Sequence, residues 1–193
     1  MRFLPVEIPG LVHIEPPKFG DHRGWFMELW NQDRYEHPDL PRTFVQDNVS
    51  WSARGILRGL HFQTENAQGK LVTVLQGEVF DVAVDLRRGS PTLGRWQGFR
   101  LDGSTRHQVY IPPGFAHGFL VLSDAAMFHY KCTDKYNPKA EFTLAWDDPD
   151  VGIRWPDLTS SQPGGPLLSD KDKKGLRLKD LPLSLMPAFG SSR

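Results

Sequence analysis

The chain has 193 residues, long enough for one ordinary domain. Hydrophobic residues make up 39% of it and aromatics 11%, enough for a real core and too much for a fully disordered chain. Twenty-three basic and 23 acidic side chains cancel to zero net charge. No broad basic surface for nucleic acid or anionic lipid is expected, although a local basic pocket stays open.

Cys132 is the sole cysteine, so an intramolecular disulfide is impossible and a reducing compartment is the default expectation. Pro5, Glu7 and Pro9 interrupt the apolar N-terminal stretch, leaving no signal-peptide core. No apolar run approaches the ~20 residues a membrane span needs. The sequence reads as one soluble, cytoplasmic domain over 1–193, with no membrane or nucleic-acid partner.

Glycine and proline together are about 18% of the chain, against a usual share of about 12%, which predicts many corners. In chain order, residues 1–20 read as irregular edge strands. Asn31 to His37 reads as one short helix capped by Asn31. Lys70 to Gln76, Gly77, and Glu78 to Arg87 read as a hairpin. In its second arm Phe80, Val82, Val84 and Leu86 share one face. Val79, Asp81, Ala83 and Asp85 share the other, placing acids on a partly apolar face. Further strands are expected over Trp96–Leu101, Gln108–Ile111, Phe119–Leu122, Met127–Thr133 and Glu141–Trp146, with turn signals between them. Ser169 is placed to cap a short helix over Lys171–Lys174, stopped by Gly175. Strands at this spacing predict an all-β sandwich or barrel.

Three segments carry chemistry that ordinary surface strands avoid. Leu57-Arg58-Gly59-Leu60-His61 sets a cation and an imidazole among apolar neighbours. Pro112-Pro113-Gly114-Phe115-Ala116-His117 presents His117 from a rigid corner. Phe128-His129-Tyr130-Lys131-Cys132-Thr133 alternates apolar and ionisable groups. Each has a plain reading beside it: a hydrogen-bonded histidine, a turn, a packed tyrosine, a solvated Lys70, a thiol acting as a small hydrophobe. Pro112-x-Gly114-x-x-His117 is also half of the cupin metal pattern. The other half needs a His-x-His pair, and His61 is followed instead by Phe62-Gln63; Glu65 does not replace the missing imidazole, so no metal is expected. Strict alternation sends Arg58 and His61 to opposite faces, so a common role requires a bulge or bend at Gly59, or an Arg58 side chain that reaches round an edge.

Several stretches, in order over almost the whole chain, together resemble a known family. They include Gly20-Asp21-His22-Arg23-Gly24, Val45-Gln46-Asp47-Asn48, Leu57 to Gln63 and Gln68-Gly69-Lys70-Leu71. They continue through Gly77 to Asp85, Ile111 to Phe119, Tyr130 to Asp134, Ile153-Arg154-Trp155-Pro156 and Leu168 to Asp172. The chain resembles the RmlC-type nucleotide-sugar epimerases, the dTDP-4-dehydrorhamnose 3,5-epimerase family of the cupin superfamily. One departure is visible: the family's usual His after Asp47-Asn48 is Val49 here.

The resemblance implies an all-β, cupin-type jelly roll with a few short peripheral helices, working without metal or other cofactor on a dTDP-4-keto-6-deoxy sugar. It implies His61 as base, Asp172 as its orienting carboxylate and Tyr130 as acid. Lys70 and His117 would line the sugar site, with Lys70 the nearest cation for an enolate. Arg23, Glu28, Gln46, Asn48, Arg58, Glu141 and Lys171 match substrate-contact positions, and Tyr136 matches an aromatic that stacks on thymine. It further implies a homodimer with shared sites, the Arg23 and Gln46 segments of one copy completing the other's nucleotide site. The residue types suit the chemistry. A C4 ketone acidifies the protons on C3 and C5, and imidazole is the base whose pKa lies near neutrality. A relative inverting only one centre, a non-catalytic sugar-nucleotide binder and a metal-binding cupin remain as alternatives.

Overall fold

A computed structural model describes residues 1–158 and 164–190. Its two main sheets face each other as a sandwich. The first six strands are β1 (Arg2–Leu4), β2 (Val12–Glu15), β3 (Lys18–Asp21), β4 (Gly24–Met27), β5 (Gln46–Ala53) and β6 (Leu57–Gln63). They are followed by β7 (Lys70–Gln76), β8 (Glu78–Asp85), β9 (Trp96–Asp102), β10 (Gln108–Ile111), β11 (Phe115–Val121), β12 (Ala125–Cys132) and β13 (Glu141–Thr143). One sheet runs β1-β2-β10-β7-β12-β5 and the other β13-β6-β11-β8-β9, all pairings antiparallel; β3 and β4 form a separate hairpin. This is the jelly-roll architecture expected.

The alternation read in β8 holds, with both faces covered. Val79 and Ala83 join Val72, Val74, Phe99, Val109, Phe119 and Phe128 in the core between the sheets. Val82, Val84 and Leu86 form a second core on the outer face of the five-stranded sheet with Leu144, Leu181 and Met186. The segment beyond Asp180 therefore packs against the sheet. Burying side chains such as Leu181 and Met186 contributes about 1.5–3 kcal/mol each. The C-terminal segment is tied down by bridges Ile56↔Leu167, Leu144↔Leu176 and Arg88↔Ala188.

Several local expectations are corrected. Lys70–Gln76 and Glu78–Asp85 are strands, but they do not pair. β7 lies between β10 and β12, β8 between β11 and β9, and Gly77 is a corner leading from one sheet to the other. Its φ is +81°, and a Cβ there would lie 2.0 Å from the Ala125 carbonyl oxygen, so only glycine can turn this corner. Asn31 caps a single turn rather than a helix. Its Oδ1 accepts the Asp33 N–H and its carbonyl the Tyr35 N–H. Pro38 forbids continuation, and buried Tyr35 is held by its hydroxyl to Gln108. β11 begins at Phe115, so His117 sits inside a strand and not on the Pro/Gly corner. The C-terminal helix is a 3-10 turn over Asp172–Lys174, with Ser169 Oγ accepting the Asp172 N–H. Two further 3-10 turns cover Leu178–Asp180 and Leu183–Leu185. Among the described residues no helix is long and apolar enough to cross a membrane.

Candidate active site

A cavity of about 300 Å³ opens between the sheets. The five-stranded sheet supplies Arg58 and His61 from β6 and His117 and Phe119 from β11. The six-stranded sheet supplies Lys70 from β7, Phe128 and Tyr130 from β12, and Gln46, Asn48 and Ser50 from β5. Tyr136 and Glu141 close one side. The rings of Phe119 and Phe128 stack at 4.2 Å and 15° across the sheets.

Arg58 and His61 do reach the same cavity, by the bulge that Gly59 suggested. The β6–β11 register runs His117↔His61 but Phe119↔Arg58, so β6 carries one extra residue. Gly59 adopts φ +112°, and a Cβ there would strike the His117 carbonyl oxygen at 2.6 Å. The bulge requires glycine and turns two side chains to one side.

His61 Nε2 lies 2.6 Å from Asp172 Oδ1. Burial alone would raise the Asp172 pKa, but hydrogen bonds from His61, Ser169 and the Gly59 backbone outweigh it and hold the carboxyl below its ordinary range. An ionised carboxylate only accepts. The ring proton is therefore on Nε2, and the basic lone pair is on Nδ1. His117 makes the same kind of bond, Nε2 to Asp81 Oδ2 at 2.8 Å, with both groups buried.

On the facing wall, burial raises the Tyr130 pKa, partly offset by the nearby Arg58 cation, so the phenol stays protonated at neutral pH. The Lys70 ammonium lies 5.9 Å from the Tyr130 ring centroid, and burial pushes its pKa down. Lys70 is thus a wall of the cavity, not a solvated side chain. Cys132 is fully buried beside it and accepts from Asn48 Nδ2 at 3.5 Å, in keeping with a packed thiol. Glu141 Oε2 accepts from Tyr136 Oη at 2.7 Å and from the Lys171 ammonium. The Glu141 hydrogen bond raises the Tyr136 pKa to about 12. Burial works to raise Glu141 itself, but Lys171 and Tyr136 keep it below its usual range.

Of the residues singled out from sequence, Asp172 and Lys171 lie behind the lining side chains, joined to His61 and Glu141. Gln46 was expected to reach a second copy with Arg23, but it lines this chain's own cavity and accepts the Tyr136 N–H. Arg23 and Glu28 lie elsewhere. Arg23 is paired with Asp21 on the β3–β4 hairpin, and Glu28 with Arg34 at 3.0 Å. Ser50, Gln68, Phe119, Phe128 and Asp81 escaped sequence reasoning. Asp81 had a signal: an acid on an apolar strand face needs a partner. Val49 points away from the cavity, exposed beside its register partner His129. The departure from the family pattern therefore falls outside the site. Among the described residues no three His, Cys, Asp or Glu side chains form a metal-ligating group.

Residues 5–180 match the family described as dTDP-4-dehydrorhamnose 3,5-epimerase. The chain is 51% identical over 181 residues to the dTDP-4-dehydrorhamnose 3,5-epimerase of Pseudomonas aeruginosa, covering 93% of this chain and 97% of that one. It is 48% identical over 185 residues to the enzyme of the same name from Methanothermobacter thermautotrophicus, covering 95% and 98%. The RmlC epimerase of Legionella pneumophila, solved in complex with dTDP-4-keto-L-rhamnose, superposes with a TM-score of 0.92. That match has 46% identity and covers 98% of this chain and 99% of that one.

Proposed function

The chain belongs to the dTDP-4-dehydrorhamnose 3,5-epimerase family, and we propose that its inter-sheet cavity inverts C3 and C5 of dTDP-4-dehydro-6-deoxy-D-glucose, giving dTDP-4-dehydro-L-rhamnose. The observation that carries this reading is the placement of His61 and Tyr130 on opposite walls, one on each sheet. A sugar ring lying between them presents one face to a base and the other to an acid, which is what inversion requires.

His61 Nδ1 removes the proton from a carbon beside the C4 ketone, and the C–H electrons move onto O4 as an enolate. Asp172 fixes the tautomer and stabilises the imidazolium that forms. The Lys70 ammonium balances the charge on O4, and His117, fixed to Asp81, forms the wall beside it. Tyr130 then gives its phenolic proton to the opposite face of the same carbon and the carbonyl re-forms. Exchange with solvent resets both groups before the second centre reacts. Arg58, a guanidinium suited to bidentate anion binding, takes the diphosphate. Tyr136 stacks on the thymine, and Gln46, Asn48, Glu141 and Lys171 hold the remaining polar groups. The whole chain acts as a single cytoplasmic domain in which side chains, without a cofactor, carry every proton.

The working unit is a homodimer. Support comes from the free edge of β5, where Val45, Val49 and Trp51 are 53%, 59% and 64% exposed, and from exposed Phe19, Trp25 and Phe26 on the β3–β4 hairpin. So large an uncovered apolar surface marks an interface. The hairpin of one copy, bearing Arg23, with Glu28 just after it, reaches the cavity of the other. A fully active monomer at micromolar concentration contradicts the dimer. The reaction is tested by incubating the protein with dTDP-4-dehydro-6-deoxy-D-glucose and identifying the product by NMR. The doubly inverted sugar is expected; unchanged substrate or inversion at one centre refutes the assignment.

A further inference from the structure

Arg58 lines the cavity, yet one of its donors is already used. Its Nε donates to Ser52 Oγ at 2.9 Å. Ser52 belongs to β5 in the six-stranded sheet and Arg58 to β6 in the five-stranded sheet. The bond therefore ties one wall of the cavity to the other, just beyond the corner at 54–56. The corner does not depend on it. Arg54 N–H donates to the Asp124 carbonyl at 2.9 Å, Gly55 N–H to Val121 at 3.0 Å and Ile56 N–H to Ala53 at 3.2 Å.

A guanidinium binds an anion bidentately through either of two kinds of edge, one made by Nε and one Nη, the other by both Nη nitrogens. With Nε held by Ser52, the edge left whole is the Nη pair, and among the described residues neither Nη makes a hydrogen bond. Ser52 is 3% exposed, so water does not readily take its place. Without the hydroxyl, the long Arg58 side chain regains rotamers that binding must then freeze out.

We infer that Ser52 is a positioning residue for the reaction: it clamps Nε of Arg58 so that the terminal nitrogens are presented to the substrate's diphosphate before binding. This rests on the reading of Arg58 as the diphosphate contact.

The test compares Ser52→Ala, Ser52→Thr, Arg58→Ala and the double variant Ser52→Ala/Arg58→Ala, using dTDP affinity by calorimetry and steady-state kinetics. Ser52→Ala should weaken dTDP binding and raise KM by about tenfold, the scale of one hydrogen bond to a charged group. The loss should fall on KM rather than kcat, because an interaction made before and during the reaction is removed. Ser52→Thr, which keeps the hydroxyl, should recover most of it. In the Arg58→Ala background, Ser52→Ala should cost nothing further. Wild-type dTDP affinity in Ser52→Ala, with weakened affinity in Arg58→Ala, overturns the inference and leaves the reading of Arg58 standing. A tenfold loss that persists in the double variant also overturns it, since Ser52 would then act by another route. Wild-type affinity in Arg58→Ala overturns the reading of Arg58, and the inference with it.

Discussion

Two histidine–carboxylate pairs stand side by side in this molecule. His61 and His117 are register partners on β6 and β11, and each offers Nε2 to an aspartate, at 2.6 Å for Asp172 and 2.8 Å for Asp81. Their access differs. The side chains of the first pair are 25% and 5% exposed, those of the second 8% and 0%. Their origins differ too. Asp81 comes from the adjacent strand β8, while Asp172 arrives on the C-terminal segment, 111 positions from its partner. Asp172 also accepts from Ser169 and the Gly59 backbone, whereas Asp81 Oδ1 is buried with no hydrogen-bond partner among the described residues. One arrangement in two settings suits two tasks. Solvent reaches the first imidazole, as the base proposed for the reaction requires, and the second is held by Asp81 within the core.

The comparison breaks first at His61. His61→Ala should fold normally and lose at least about 10²–10⁴-fold in turnover, the usual contribution of a general base. Turnover like that of the wild type would leave the two pairs indistinguishable. Asp172→Asn should cost less, roughly 10- to 100-fold in kcat, because the imidazolium loses a charged hydrogen-bond partner. An unchanged kcat would reduce Asp172 to a structural anchor.

Asp81 should show the opposite balance. Asp81→Ala leaves the enclosed His117 donor without its partner and should lower unfolding free energy by about 1–3 kcal/mol, measured by denaturant titration. Asp81→Asn should keep turnover within about tenfold of wild type, since it preserves shape and one polar atom. A larger fall in turnover than for Asp172→Asn would reverse the roles assigned to the two pairs.

The smallest effect concerns pH. The Asp172 and Glu141 carboxyls are held below their ordinary range in the fold. Such groups contribute stability that is fully present above the ordinary carboxylate pKa and is lost as pH falls through the depressed values. Acid titration should therefore leave stability level down to about pH 4 and then lower it. Asp172→Asn should show a shallower acid loss. An equally steep loss in that variant would mean the carboxylate carries no linkage to folding.

The parts of this site visible in the sequence were those carried by local pattern. Period-two alternation located β8 and put Asp81 on an apolar face. Gly59 between Arg58 and His61 announced the bulge, because two useful side chains on one strand face need an extra residue. What sequence pattern concealed was non-local. Alternation says that Lys70–Gln76 is a strand and is silent on its neighbours, so a sheet-to-sheet corner at Gly77 looked like a hairpin. Asn31 carried a helix cap, yet Pro38 and the burial of Tyr35 stopped the helix after one turn. Asp172 and Lys171 were identified through family resemblance, since nothing in their local sequence connects them to His61 and Glu141. Nothing in the sequence around Leu181 and Met186 says which surface they cover, and only the folded sheet shows it.

The central claim is that removal and return of the proton occur from opposite walls of the cavity. Tyr130→Phe, assayed in deuterated water with NMR of the recovered sugar, tests it most directly. The variant keeps the ring, and its base and enolate stabilisers are intact. Net inversion should nearly vanish while some deuterium still enters at C3 or C5. Inversion of both centres at the wild-type rate would contradict the account, because the acid would then be another group.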